Sequence, residues 1–186
     1  VDTIVQRHGR LDVAVNNAGG SPPADSATAS PRFSESIIRL NLLAAMYVSQ
    51  AAYRVMHEQD GGGAIINICS VSGMRPTPQT AAYGAAKAGL LNLTQTLAME
   101  WAPQVRVNAV TAGLVKTEQS HLFYGDEEGI ARVDATVPMG RMADPRDVGE
   151  ACVFLASPAA AYISGTNLLV HGGGERPPYM GAAAGS

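Results

Sequence analysis

A doubly wound parallel α/β sheet is the fold class this chain predicts, and three observations carry that prediction. Four short runs, 11–15, 64–69, 105–110 and 167–170, are rich in β-branched and other apolar residues, and most of the segments between them carry apolar residues at three- and four-residue steps. Most of these runs lead into small polar or glycine-rich residues, as at Asn16-Asn17-Ala18-Gly19-Gly20 and Ser70-Val71-Ser72-Gly73. The 186 residues, 46% apolar with a net charge of −3, suit one domain with its own core. Strands that alternate with helices pair in parallel, are covered on both faces and bind ligands beyond their carboxyl ends.

Taken in order, residues 1–8 end at Gly9 and read as the last turns of a helix with glycine in the terminating position. The chain therefore reads as starting inside an element. Leu11 to Val15 is a strand that runs into the Asn16–Gly20 loop. After the Ser/Pro-containing segment 21–33, Ile37, Leu40, Ala44, Val48, Ala51 and Val55 mark one long helix, stopped by Gly61-Gly62-Gly63. Ala64 to Cys69 is the second strand. From about Ala81 to Met99 a helix carries Ala86, Leu90, Leu93 and Leu97 on one face and the small residues Ala82, Ala85, Gly89, Asn92 and Thr96 on another. Small residues let another backbone come close. Val105 to Val110 is the third strand, followed by an irregular stretch to Ala143. Asp144 as N-cap and Pro145 at the first helical position open a helix with Val148, Ala151, Cys152 and Leu155 along one stripe. Asn167 to Val170 closes the set before Gly172-Gly173-Gly174, and 181–186 read as a mobile tail.

Several function classes fall away on composition. No Lys/Arg cluster supplies the footprint of a nucleic-acid binder or a polybasic membrane anchor. No apolar run reaches membrane-spanning length, and no charged leader precedes an apolar stretch. Cys69 and Cys152 with four scattered histidines make no metal-ligand spacing, so no metal site is expected and a reducing, cytoplasmic setting fits best.

The sharpest chemical signal is Tyr83-Gly84-Ala85-Ala86-Lys87, preceded by Ser70 at the end of a strand. Residues i and i+4 share one helix face, so the ammonium can stand near the phenol. A phenol must fall from about 10 to about 7 to act near neutrality, which asks for about 4 kcal/mol. A charge about 4 Å away supplies a similar amount at an effective dielectric near 20. Lys87 is thus expected to make Tyr83 more acidic, and Ser70 to hold a substrate oxygen.

Asn16-Asn17-Ala18-Gly19, Asn41, Ser70, Tyr83, Lys87 and the stretch Asn108 to Thr117 occur in the order found in short-chain dehydrogenases/reductases, and the resemblance spans essentially the whole chain. It implies a Rossmann-like fold and an NAD- or NADP-dependent oxidoreductase that interconverts a secondary alcohol and a ketone. It further implies that Tyr83 exchanges the proton, Ser70 polarises the oxygen, Lys87 also holds the nicotinamide ribose, and Asn41 holds a water leading from Lys87. Asn16, Ala18 and Gly19 resemble the loop lining the adenosine ribose. Gly113, Val115 and Thr117 resemble the loop beside the carboxamide, with contacts from the Val115 backbone and the Thr117 hydroxyl. The small face at Ala82, Ala85 and Gly89 resembles the helical interface through which family members form dimers and tetramers, so a homo-oligomer, with a homotetramer among the expectations, is implied, although that face could equally pack against the sheet. The chain departs from the pattern at Ala112-Gly113, where Pro-Gly is usual, and at His171, where Asp is usual. The family's glycine-rich phosphate loop, Thr-Gly-x-x-x-Gly-x-Gly, is expected upstream of Val1, with roughly 60 to 80 residues of strand and helix around it. Two other functions stay open: a noncatalytic subunit that keeps only the oligomerising face, and a non-redox lyase or isomerase that uses the same acid/base set. The stretch 116–141, with Leu122 and Phe123, reads equally as a lid or as a solvated loop.

Overall fold

The computed structural model describes residues 1–183. Helix α1 (Asp2–His8) ends at Gly9, whose φ of 75° is the left-handed conformation that lets its N–H reach back to Val5. Strand β1 (Val13–Asn16) follows. Helix α2 (Pro31–Ile38) begins earlier than the apolar stripe suggested, because Ser30 accepts from the Phe33 N–H and Pro31 needs no N–H partner in the first turn. The expected single long helix is in fact three pieces: α2, a π-helical turn at Arg39–Leu43, and α3 (Ala44–Met56). Three- and four-residue steps cannot reveal a local five-residue hydrogen-bond period.

Strand β2 (Gly63–Ser70) leads through a 3-10 turn at Val71–Gly73 towards the 21-residue helix α4 (Ala81–Trp101). Strand β3 (Val105–Ala112) runs two residues beyond its expected end. The irregular stretch that follows contains two short helices, α5 (His121–Tyr124) and α6 (Glu127–Asp134). Asp126 caps α6 by accepting from the Gly129 N–H, and Glu127 and Glu128 favour its positive end. Helix α7 (Pro145–Ala156) carries a capping box between Asp144 and Asp147, and β4 (Asn167–Val170) has its expected bounds. Helix α8 (Pro178–Ala183) takes in 181–183 of the expected mobile tail, while 184–186 lie outside the described residues.

All four strands are parallel, in the order β1-β2-β3-β4. Pleating divides the sheet's side chains between two layers. Ile65, Val105 and Val107 join Ala52, Met56, Leu97 and Trp101 beneath α3 and α4. Ile66 and Val110 join Leu155 of α7 on the other face. Covered on both sides, β2 and β3 carry the most buried side chains of the sheet. No helix of the described residues is long and apolar enough to cross a membrane.

Candidate active site

The carboxyl ends of β1, β2 and β3 and the first turns of α4 converge on one edge of the sheet. Ser70 is the last residue of β2, paired in register with Ala112 of β3. Its Oγ accepts from the Ser72 N–H at 3.2 Å, which leaves the hydroxyl proton to donate. Glycine lets the next turn press onto α4. A Cβ on Gly73 would lie 2.7 Å from the carbonyl carbon of Lys87, and one on Gly84 would lie 2.8 Å from the Ser72 carbonyl oxygen. Larger residues at either place would push Ser70 away from Tyr83.

Lys87 is 4% exposed. Its Nζ donates to the Ile68 carbonyl at 2.8 Å and stands 5.6 Å from the centroid of the Tyr83 ring. The helical spacing therefore brings the pair to the same face, as expected. The electrostatics differ from the expectation. The Tyr83 phenol lies above its ordinary range, because burial disfavours the phenolate more than the neighbouring Ser70 hydroxyl favours it. Burial likewise pulls the Lys87 ammonium below its ordinary value. A charge that is itself desolvated and turned towards a backbone carbonyl does not outweigh the cost of burying a phenolate. The Cys69 thiol beneath them is pushed up to about 12 by the same desolvation.

Asn41 lies in the π-helical turn and is 1% exposed. Its Oδ1 accepts from the Gly20 N–H at 2.8 Å, and its Nδ2 donates to the carbonyls of Gly20 at 2.8 Å and Ile37 at 3.0 Å. The side chain thus clamps the loop after β1. A Cβ on Gly19 would sit 2.7 Å from Asn41 Oδ1 and 3.1 Å from Lys87 Nζ, so glycine brings that loop's backbone onto both groups. Ala18 and Gly19 are exposed at this edge. Asn16 instead turns its side chain inward, donating to Asn67 Oδ1 at 2.8 Å and Ser49 Oγ at 2.9 Å. It ties β1 to β2 and α3, so its own side chain is not free for a ligand.

Beyond β3, Gly113 lies against His171, whose Cβ would be 2.8 Å from a Cβ placed there. Val115 forms a parallel bridge with Ala143 that uses the Leu114 carbonyl and the Lys116 N–H, so it spends neither the N–H nor the C=O of Val115 itself. Thr117 is exposed, and its N–H donates to Ser120 Oγ at 2.8 Å. A cavity of about 310 Å³ opens here, lined by Val71, Met74, Arg75, Leu114, His171 and Glu175. Val71 and Gly113 directly follow the last registered pair, so the cavity begins one residue beyond Ser70. Arg75 and Glu175, which pair with each other in its lining, carried no motif by which the sequence could have marked them.

Residues 1–175 match the family described as enoyl-(acyl carrier protein) reductase. The chain belongs to the short-chain dehydrogenases/reductases. An uncharacterised oxidoreductase of Mycobacterium tuberculosis is 37% identical over 165 residues, covering 89% of this chain and 63% of that protein. The 2-dehydro-3-deoxy-D-gluconate 5-dehydrogenase of Escherichia coli is 33% identical over 174 residues, covering 93% of this chain and 69% of its own length. A gluconate 5-dehydrogenase from Burkholderia cenocepacia, solved in complex with NADP and tartrate, superposes with a TM-score of 0.85 at 32% identity, covering 92% of this chain and 68% of that one. The chain spans about two thirds of the length of these relatives.

Proposed function

We propose that this chain supplies the reacting half of an NAD(P)-dependent oxidoreductase that interconverts a secondary alcohol and a ketone. The observation that carries the reading is Ser70 beside the Tyr83 phenol at the carboxyl edge of the sheet, with Lys87 Nζ 5.6 Å from that ring. The residues present fit the nicotinamide-ribose end of such a cofactor. Gly19 lets the loop after β1 close on Lys87 Nζ and Asn41, which sets its backbone beside the ammonium that would hold a ribose, and the Val115 bridge leaves that residue's own backbone groups for a carboxamide. When bound, the nicotinamide supplies or accepts the hydride. The chain's own groups handle the proton and the oxygen. Ser70 donates to the substrate oxygen, Tyr83 gives or takes its proton, and the Lys87 ammonium stabilises the phenolate left behind.

Burial holds the phenol protonated at neutral pH, which suits Tyr83 to donate a proton to a ketone oxygen. A phenol raised above its ordinary value loses its proton only at alkaline pH, so oxidation of the alcohol should climb with pH while reduction of the ketone stays flat and falls only there. In the full-length protein Tyr83→Phe should lower cofactor-dependent turnover by about a thousandfold or more with the fold intact by circular dichroism. Full activity in that variant ends the reading. Turnover without a change in nicotinamide absorbance would favour the lyase or isomerase alternative instead. The exposed Tyr47, Val48 and Met99 on α3 and α4 support homo-oligomerisation through this helical face, within which Gly89 is already packed on Leu42 of the same chain. Free Cys69 and Cys152 support a reducing, cytoplasmic setting.

A further inference from the structure

The outer wall of the 310 Å³ cavity is an ion pair between Arg75, just after the turn that follows β2, and Glu175, just after the loop that follows β4, a hundred residues apart in sequence. Their side chains are 39% and 32% exposed, half-sheltered but within reach of a ligand. Arg75 is not a loose surface charge. It donates to Thr77 Oγ1 at 2.8 Å, Thr77 Oγ1 donates to Ser72 Oγ at 3.1 Å, and the Ser72 N–H donates to Ser70 Oγ at 3.2 Å. The guanidinium is therefore held in fixed relation to the residue that meets the reacting oxygen. Val71, Met74 and Leu114 form the apolar side of the same cavity, and His171 lies among them. Tyr124 of α5 approaches closely enough to feel the charge of Glu175.

We propose that the substrate is a neutral polyhydroxylated alcohol, an aldose or polyol, whose hydroxyl groups bridge Arg75 and Glu175 while its reacting carbon lies at Ser70 and Tyr83. This rests on the oxidoreductase reading and narrows it. A hydroxyl both donates and accepts, so it can satisfy the carboxylate and the guanidinium together without leaving either charge unmatched. A carboxylate-bearing substrate must share one guanidinium with Glu175 and set two like charges side by side. A wholly apolar substrate would cover both charges and return no hydrogen bond. The cavity's volume also lies at the small end of the range for ligand sites.

The test uses the full-length protein with D-glucose, L-rhamnose, D-gluconate and cyclohexanol as probes, measuring nicotinamide reduction and, separately, probe binding by saturation-transfer NMR. The two aldoses should be preferred to D-gluconate and to cyclohexanol in kcat/KM. Glu175→Gln, which leaves Arg75 unmatched, should shift the gluconate-to-glucose ratio of kcat/KM upwards by about tenfold or more. Arg75→Met should lower kcat/KM for both aldoses by about ten- to a hundredfold, mostly through KM. A wild-type preference for gluconate or cyclohexanol, or a ratio unmoved by Glu175→Gln, overturns the inference while leaving the oxidoreductase reading standing. If no alcohol is turned over, that reading fails and binding decides alone. Aldose binding weakened in both variants supports the inference, and no aldose binding to the wild type overturns it.

Discussion

Strands β1 and β2 lie side by side in one sheet, yet they end up in opposite environments. Ile65 and Ile66 of β2 are fully buried, whereas Val13 and Val15 of β1 are 39% and 47% exposed. The register pairs Val15 with Ile66, so the two side chains point to the same face. Helix α7 covers that face over Ile66, whereas Val15 stays half-exposed among the described residues. On the opposite face the two strands are alike. Asn16 reaches Asn67 and Ser49, and Asn67 donates to Thr94 Oγ1 of α4 at 2.9 Å. Among the described residues, β1 is therefore packed more fully on one face than on the other. What makes an apolar residue a core residue is the helix placed over it, and β-branched character alone does not distinguish the two strands.

The largest expected break in this contrast is Ile66→Ala, which should cost about 2 to 5 kcal/mol by the transfer and cavity terms of a well-packed site. Urea unfolding followed by the fluorescence of Trp101, the single tryptophan and part of the core under α4, measures it. A loss below about 1 kcal/mol would show that α7 does not pack as described. Asn67→Ala should cost about 1 to 3 kcal/mol, because it removes two buried hydrogen bonds at once, one to Asn16 and one to Thr94, although Asn16 keeps Ser49 and Thr94 keeps the Leu90 carbonyl. Alkaline pH sharpens the contrast through Cys69 in β2. Its folded thiol titrates near 12 against an ordinary value of 9.0, so its contribution is present below pH 9 and is lost as pH rises from there towards 12. A Cys69→Ala variant should lose less stability over that window than the wild type, read as the shift in urea midpoint. The smallest effect belongs to Val15→Lys, expected within about 0.5 kcal/mol because the position is half-exposed. The same change should raise solubility, as a charge on an exposed strand does, and a cost of 2 kcal/mol would mean that Val15 is covered after all.

Some of the site could be read from residue order, because local geometry is a property of spacing. Tyr83 and Lys87 had to share a helix face, and Ser70 had to end a strand, since helices repeat in 3.6 residues and a hydrophobic run stops where polar residues begin. The π-helical turn at Asn41 and the capped α6 escaped that reading. The first is a hydrogen-bond shift that keeps the apolar stripe intact, and the second is too short for periodicity to register, although Asp126-Glu127-Glu128 was a usable start signal.

By itself the order of residues determined that strands and helices alternate, where most of them stop, and which side chains share one helical face, all of which depend on separations of a few residues. Only the tertiary structure decided which way the acidity of Tyr83 shifts, that Gly19 lies against Lys87, that Arg75 meets Glu175, and which face of β1 is the more exposed among the described residues. Each of these depends on how much water the packed neighbours exclude and on which distant segments they bring together, quantities that no short stretch of chain contains.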